Sequence, residues 1–429
     1  MILRQIKILI PTHVTPDTKS IVTLFFENLL PVLKQHVHVH VVWFVYQPER
    51  IKNLTKISDD VTILDIHDYD DAVELLQKQK PDIIFTSATK AFVDYAISTA
   101  AKSLDIPTFS MFWSDWYFYT TSQIKYATLN ISRFFQSSIP TDTDKDQKKP
   151  MRRGLFFLAK YLFLAKTQKA VRMNFAQIIS NFCMLLKRSI SDTATDSRFA
   201  STLHFLEDEK LQNTLVASGF DKSTLLVTGN PIFDKSLQKS SKQDNFFKQD
   251  GEKKILLAPS TLYEHGFWNQ EQRDFAIKEI VKSIYQNDNM SITVKIHPST
   301  SILSEYVSII NPIDTSIPVY QKGDIQEFLE NIDLVITFLS STTEVYAIIA
   351  RKPVIICNFF QSEKDMLVKR GLAVECTDPS KLIESIEKAL HNSEYEKKRD
   401  DFIREFLFKA DGHASERICD AILKLLNKK

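Results

Sequence analysis

Three short polar stretches carry the hydroxyl and imidazole groups that can handle a phosphate: Pro259-Ser260-Thr261, His297-Pro298-Ser299 and Ser340-Ser341-Thr342. Each follows a β-branched apolar run, over Lys254–Leu257, Ser291–Ile296 and Leu334–Thr337, that reads as a buried strand. Ser341 and Glu344 have the S-x-x-E spacing of a capping box, so Ser341 is the expected N-cap of a helix over Glu344–Ala350. A strand that turns into a helix leaves unpaired backbone N–H groups and a positive dipole end at the strand's carboxyl edge, a geometry that takes phosphate. In a parallel sheet all three strand ends emerge on one edge. Ser260, Thr261, His297, Ser340, Ser341 and Thr342 then form a cradle for a diphosphate or nucleoside phosphate. His297 is expected to gain charge near neutral pH and to hydrogen-bond a phosphoryl oxygen in either protonation state.

Glycine usage explains why the cradle must be built from hydroxyls. The chain has eight glycines in 429 residues, where average usage would give roughly thirty. No G-x-G-x-x-G and no G-x-x-x-x-G-K-[ST] occurs. A nicotinamide or flavin site and a Walker ATP site need glycine for close backbone approach, so both are excluded, and no cofactor is expected.

The elements that must position these groups alternate between strand and helix. In the first half, strands are expected at Ile6–Ile10, Val37–Val45, Val61–Ile66, Ile83–Thr86 and Ile106–Phe112. Helices are expected at Thr18–Leu33, Asp71–Gln79 and Ala91–Leu104. This alternation predicts a parallel, doubly wound sheet, with ligand loops at Pro11–Asp17, Ser87–Lys90 and Trp113–Tyr119. The second half repeats the alternation and closes with an amphipathic helix. The expected organisation is an α/β domain over 1–235 with a helical insertion near 123–196. A linker over 236–253, a second α/β domain over 254–410 and a closing helix over 411–429 complete it.

Composition suits a soluble protein, with 44% hydrophobic and 25% charged residues. The net charge of +1 argues against nucleic acid as a partner. The four cysteines lie far apart without a C-x-x-C pair and read as reduced core thiols of a cytoplasmic protein. Met1–Ile10 is charged and short, and reads as a strand rather than a signal peptide. No run is long and apolar enough to span a membrane. One stretch departs from the balance. Lys145–Arg172 holds nine Lys or Arg against the single acid Asp146, with LFFLAKYLFLAK in its middle. Such a segment is open to two readings: a helix on an anionic membrane surface, making the protein peripheral on the inner face of the plasma membrane, or a partly buried helix whose lysines snorkel over the core.

The order V-T-G-N-P-I-F-D, I-L-L-A-P-S, V-K-I-H-P, V-I-T-F-L-S-S-T-T-E with K-P-V-I, and D-G-H-A-S-E-R-I resembles the nucleotide-sugar glycosyltransferases of the GT-B fold. It looks closest to bacterial surface-polysaccharide enzymes, the CDP-glycerol glycerophosphotransferases and capsule transferases with H-P and Ser-Ser motifs. The resemblance covers the last half of the chain. It implies two Rossmann-like doubly wound domains facing a cleft, with the donor nucleotide held by His297, Ser340, Ser341 and Thr342. It also places Glu344 where an acidic residue often meets the ribose in GT-B enzymes, which competes with its capping role. Two departures stand out. Phe112-Trp113-Ser114-Asp115-Trp116 replaces a W-H-G-T-type motif, without its histidine and glycine. The non-hydrolysing UDP-sugar 2-epimerases share V-x-G-N-P and S-E-R-I and place acids where Asp115 stands, but use a Ser-Gly-Gly turn that Ser340-Ser341-Thr342 is not.

The resemblance implies transfer from a nucleotide-activated sugar or alditol donor to the hydroxyl of a glycan or lipid-linked acceptor. The attacking hydroxyl must lose a proton, so a base should face the cleft from the first domain. Asp115 is the first candidate and His13 the second, each at an expected strand end. No D-x-D stands at a donor-side strand end, so no metal is expected. A UDP-sugar epimerase and a non-catalytic GT-B-like binding protein are the alternative readings.

Overall fold

The computed structural model describes residues 4–46, 58–86, 92–112, 153–190, 197, 200–240, 251–339, 341–360 and 364–427. The first lobe runs β1 (Gln5–Thr12), α1 (Ile21–Leu33), β2 (His38–Val45), β3 (Val61–Asp65), α2 (Ala72–Gln79), β4 (Ile83–Phe85), α3 (Phe92–Ser103) and β5 (Thr108–Phe112). It continues through α4 (Arg153–Ala170), α5 (Phe175–Ile190), β6 (Leu203–Leu206), α6 (Glu209–Ala217) and β7 (Leu225–Val227). Helix α7 (Asp234–Ser240) begins the crossing and runs into the first residues of the stretch expected as linker.

The second lobe follows with β8 (Lys253–Leu257), α8 (Gln270–Tyr285), β9 (Met290–Lys295), α9 (Leu303–Ile310), β10 (Val319–Tyr320), α10 (Ile325–Glu330) and β11 (Leu334–Thr337). Then come α11 (Thr342–Ile349), β12 (Val354–Cys357), α12 (Met366–Lys369), β13 (Ala373–Cys376), α13 (Leu382–Leu390), α14 (Tyr395–Phe406) and α15 (Ala414–Asn427).

Both sheets are parallel throughout. Their orders are β3-β2-β1-β4-β5-β6-β7 and β10-β9-β8-β11-β12-β13. The central strands are buried on both faces, which is why they read as continuous apolar runs rather than alternating ones. In each sheet the winding reverses once, between β1 and β4 and between β8 and β11. A crevice opens at the carboxyl ends of those strand pairs, the position where such sheets bind ligands. The α/β architecture of two doubly wound lobes expected from the strand–helix alternation is therefore present.

The lobes are joined by a clasp between two motifs far apart in sequence. Asp234, at the end of V-T-G-N-P-I-F-D, is 5% exposed. Its carboxylate accepts the backbone N–H of Ala414 (3.0 Å) and Ser415 (2.8 Å) and the Ser415 hydroxyl (2.6 Å). Asp234 thus caps the first turn of α15, where a carboxylate suits both the unpaired N–H groups and the helix dipole. Burial still pushes its pKa up against those three hydrogen bonds. Arg417 on α15 reaches back to the Thr228 carbonyl at 2.7 Å and pairs with Asp411. Gly412 makes the approach possible. Its φ is +72°, and a Cβ there would stand 2.8 Å from the Asp234 carbonyl oxygen.

Once capped, α15 lays Ile418, Cys419, Ile422 and Leu426 into the same apolar cluster as Phe25, Phe26 and Leu29 of α1. The last helix of the chain therefore packs on the first lobe. Of the four cysteines, three are buried and Cys183 on α5 is exposed, unlike the core thiol expected there.

Replacing Asp234 by Ala leaves two buried N–H groups without an acceptor and should cost about 2–4 kcal/mol. Urea unfolding measures this, and a midpoint equal to the parent's would remove the clasp from the account of interlobe stability.

Candidate functional site

The second-lobe crevice is lined by the three strand ends singled out from the sequence. Ser260 follows β8, and its hydroxyl lies 3.1 Å from that of Thr337, the last residue of β11. Both are buried. This pair bridges the crevice at its floor, so Ser260 acts as a strut between the two strands. Thr261 is half-buried, and its carbonyl accepts the His265 N–H at 2.9 Å in a tight turn. Trp268 then packs on Phe338 with ring centroids 4.6 Å apart and holds the 260–268 loop against the end of β11.

His297 stands just past β9. Its Nδ1 accepts the Thr300 hydroxyl at 2.9 Å and the backbone N–H groups of Ser299 and Thr300 at 3.3 Å each. An Nδ1 that accepts from backbone N–H carries no proton, so the neutral ring bears its hydrogen on Nε2. Burial first, and then the charges of His265 and Lys295, lower the pKa to about 4. The expected charge gain near neutral pH is corrected by this environment: His297 is a neutral Nε2–H donor throughout the physiological range.

Ser341 caps α11, its hydroxyl accepting the Thr343 N–H at 3.2 Å. Glu344 returns the gesture, its carboxyl accepting the Ser341 N–H. The helix starts at Thr342, which is half-buried. Glu344 is 3% exposed, and its Oε1 has no hydrogen-bond partner among the described residues. Burial, with Asp365 nearby, pushes its pKa well above the carboxylate range. Ser340 lies outside the described residues.

The two carboxyl edges meet. The Ser299 hydroxyl donates to the Lys19 carbonyl at 3.1 Å, joining the His297 turn to the loop after β1. That loop carries His13, which is exposed and has its ring 6.1 Å from that of Tyr46. The Trp43 indole N–H donates to the Val14 carbonyl at 2.7 Å and fixes the loop on β2. Tyr46 is buried, and burial together with the charge of Asp94 raises its pKa. Asp94, on α3, is itself 2% exposed. The Lys160 ammonium of α4 sits 4.8 Å from the Tyr46 ring centroid. Asp115 and the loops Ser87–Lys90 and Trp113–Tyr119 lie outside the described residues. Among the described residues no group of three His, Cys, Asp or Glu side chains is placed to hold a metal ion.

Sequence reasoning missed Tyr46, Asp94, Lys160, Thr337 and His265. Tyr46 lies one residue beyond an expected strand, and Thr337 inside one. Asp94 is a lone acid in an otherwise apolar helix start, a signal that was available.

The two parallel sheets define a two-lobed α/β protein of GT-B architecture. A UDP-N-acetylglucosamine 2-epimerase crystal structure aligns over 100% of this chain and 98% of its own, with TM-score 0.53 and 14% identity. The UDP-GlcNAc 2-epimerase of Neisseria meningitidis, solved with UDP-GlcNAc bound, aligns over 98% of this chain and 100% of its own, with TM-score 0.52 and 14% identity. The glycotransferase of kitacinnamycin aligns over 98% of each chain, with TM-score 0.52 and 12% identity. Compared by sequence with curated proteins, the chain has no match. The UDP-N-acetylglucosamine 2-epimerase family model matches residues 197–423, more than half of the chain, which therefore belongs to that family. The GT-B architecture expected from the motifs stands, while the family is the epimerases rather than the capsule transferases.

His204, fully buried with its Nδ1 2.6 Å from the Ser110 hydroxyl, is also held near a pKa of about 4 by burial. In the unfolded chain both histidines titrate near 6.5. Their folded values are depressed, so their stabilisation is full above about pH 6.5 and is lost as pH falls toward 4. Unfolding near pH 5 should take up about one proton fewer when His297 is replaced by Asn. Calorimetry in buffers of different ionisation enthalpy counts those protons, and an unchanged count would mean that His297 is already charged in the folded state.

Proposed function

We propose that the protein breaks the bond between the anomeric carbon of a UDP-activated N-acetylhexosamine and its diphosphate as the C2 proton leaves, then returns a proton to the opposite face of C2 and re-forms that bond, so that inversion at C2 is the net reaction. Membership of the 2-epimerase family supports the substrate class and the reaction. The observation that carries the site assignment is the neutral Nε2–H donor of His297, on the same sheet edge as the N-terminus of α11. Departure of the diphosphate builds negative charge on its bridging oxygen. Fixed donors aimed at that charge stabilise the transition state more than the ground state. A donor that never titrates near neutral pH does this without competing for the proton. Thr342 presents the first N–H group of α11 to the same charge. Glu344, with an unused Oε1, is available to the ribose hydroxyls.

Inversion at C2 needs one group to remove the proton and another to return it from the opposite face. The first-lobe edge supplies candidates in His13 and in Tyr46 backed by Asp94, with Asp115 on the loop after β5. Tyr46, with its raised pKa, holds its proton and suits the donor role.

A second reading is transfer of the sugar to the hydroxyl of a glycan or lipid-linked acceptor. It is favoured by the Ser340-Ser341-Thr342 turn, which stands where the epimerases resembled by the sequence carry glycines. In that reading His13 or Asp115 takes the acceptor's proton.

Proton NMR of UDP-GlcNAc incubated with the protein in deuterium oxide separates the two. The proposed reaction places deuterium at C2 and yields the manno epimer with UDP still attached. Release of UDP without exchange at C2 would replace it with transfer. Binding of UDP by calorimetry tests the site. His297→Asn keeps an acceptor for the turn N–H groups and removes the Nε2 donor, so affinity should fall roughly 10- to 100-fold with little change in melting. Unchanged affinity would take His297 out of the site.

A further inference from the structure

The helical pair α4–α5 has an outer face that the nucleotide site does not use. The inner face of α4 is accounted for. Phe163 and Leu164 are buried, with the Phe163 ring 5.9 Å from Phe44 of β2. The Thr167 hydroxyl accepts the Ala72 N–H at 3.0 Å, at the start of α2. The opposite side carries Leu158 and Leu162, 47% and 49% exposed, one helical turn apart. On α5, Phe175 and Ile179 are 76% and 44% exposed, again one turn apart.

The turn between the helices is well ordered. Arg172 takes a φ of +63°, and the Met173 N–H donates to the Gln168 carbonyl at 2.9 Å. Asn174 and Gln177 then cap α5 reciprocally, at 2.9 and 3.0 Å. Tyr161 and Phe182, with ring centroids 4.3 Å apart, pin α5 onto α4. Phe175 therefore projects from the first position of a fixed helix.

Charge supplies the second observation. Between Gln147 and Ser191 there is no Asp or Glu, against ten Lys or Arg, in a chain that is otherwise balanced at 54 basic and 53 acidic residues. Lys169 and Arg172 are exposed beside Phe175.

We propose that the outer face of α4–α5 is a docking surface for an anionic lipid bilayer. Phe175, Ile179, Leu158 and Leu162 would enter the headgroup–acyl boundary, with Lys169 and Arg172 among the headgroup phosphates. No helix among the described residues is long and apolar enough to cross a membrane, so the pair lies on the surface. A second copy of the chain is a poor occupant, because self-association would bring Lys169 and Arg172 of two basic faces together, while the nearest acid, Asp70, is already paired with Lys166. A nucleic acid gives Leu158, Leu162 and Ile179 nothing to bury against. Lys160, on the same helix, reaches the Tyr46 ring, so the bilayer would lie close to the first-lobe edge.

The test is sedimentation of the full-length protein with vesicles of phosphatidylcholine alone or with about one-third phosphatidylglycerol. The protein should sediment with the mixed vesicles and far less with the neutral ones. Lys169→Gln with Arg172→Gln should lower partitioning roughly tenfold or more at low salt. Phe175→Ser with Ile179→Ser should lower it at low and high salt alike, since apolar insertion is not screened. All four positions are exposed, so melting should not move. Equal binding to neutral vesicles, or partitioning indifferent to both double variants, would overturn the proposal. So would a dimer in light scattering that Phe175→Ser with Ile179→Ser dissolves, or RNA binding lost in Lys169→Gln with Arg172→Gln without any vesicle binding.

Discussion

Everything that faces across the cleft depends on one buried carboxylate. Asp234 ends the last first-lobe segment and caps the helix that returns from the second lobe. The carboxylate costs solvation energy, seen in its raised pKa. Three hydrogen bonds and the positive end of α15 offset that cost, and the four apolar side chains of α15 in the α1 cluster follow from it. The clasp fixes the second lobe against the first through the chain ends as well as the crossing. A two-lobed site needs this, because its reacting groups stand on separate sheets and a displacement of about 1 Å is enough to weaken catalysis.

The site itself is organised around hydrogen-bond donors rather than charge. Lys295, the cation next to the imidazole, is turned away. Its ammonium donates to the Ile296 and Gln321 carbonyls, each at 3.0 Å. His297 is kept neutral by burial and by the N–H groups that occupy its Nδ1. Donors of this kind do not bind bulk anions strongly, because they lack net charge. They become effective when a diphosphate oxygen gains charge in a site sheltered from water. The scarcity of glycine fits this arrangement. A backbone that cannot come close to phosphate leaves the work to side-chain tips and to the start of a single helix.

Much of the frame was legible in the sequence. The strand Leu334–Thr337 falls where its apolar run placed it, and Ser341 caps the helix that follows. The helix opens at Thr342, two residues earlier than the periodicity suggested, because the first turn of a helix need not be apolar. What could not be read is everything set by distant partners. Asp234 and Ser415 lie 181 positions apart, so V-T-G-N-P-I-F-D and S-E-R-I are visible as motifs while their contact is not. The protonation state of His297 depends first on its burial in the fold, and then on the loop that brings His265 near it. Ser260 reads as a ligand from its hydroxyl, but its neighbour Thr337 turns it into a strut. Asp94 is disguised by a helical setting, where a lone acid ordinarily marks the solvent face.

The two lobes divide the chemistry by the kind of proton control each offers. On the second lobe, burial moves both titrations toward the neutral form: it lowers the pKa of His297 to about 4 and raises that of Glu344 well above its ordinary value. In the proposed reaction these groups bind and orient the diphosphate and ribose. On the first lobe, Tyr46 keeps its proton beside the buried acid Asp94, and the exposed His13 is the group the proposed reaction leaves to exchange one. A nucleotide-sugar laid across the cleft would place its diphosphate on the fixed side and its ring carbons on the exchanging side. That polarity is what bond breaking at the anomeric carbon requires, whether the sugar returns inverted at C2 or leaves on an acceptor, because both routes begin with the same departing diphosphate.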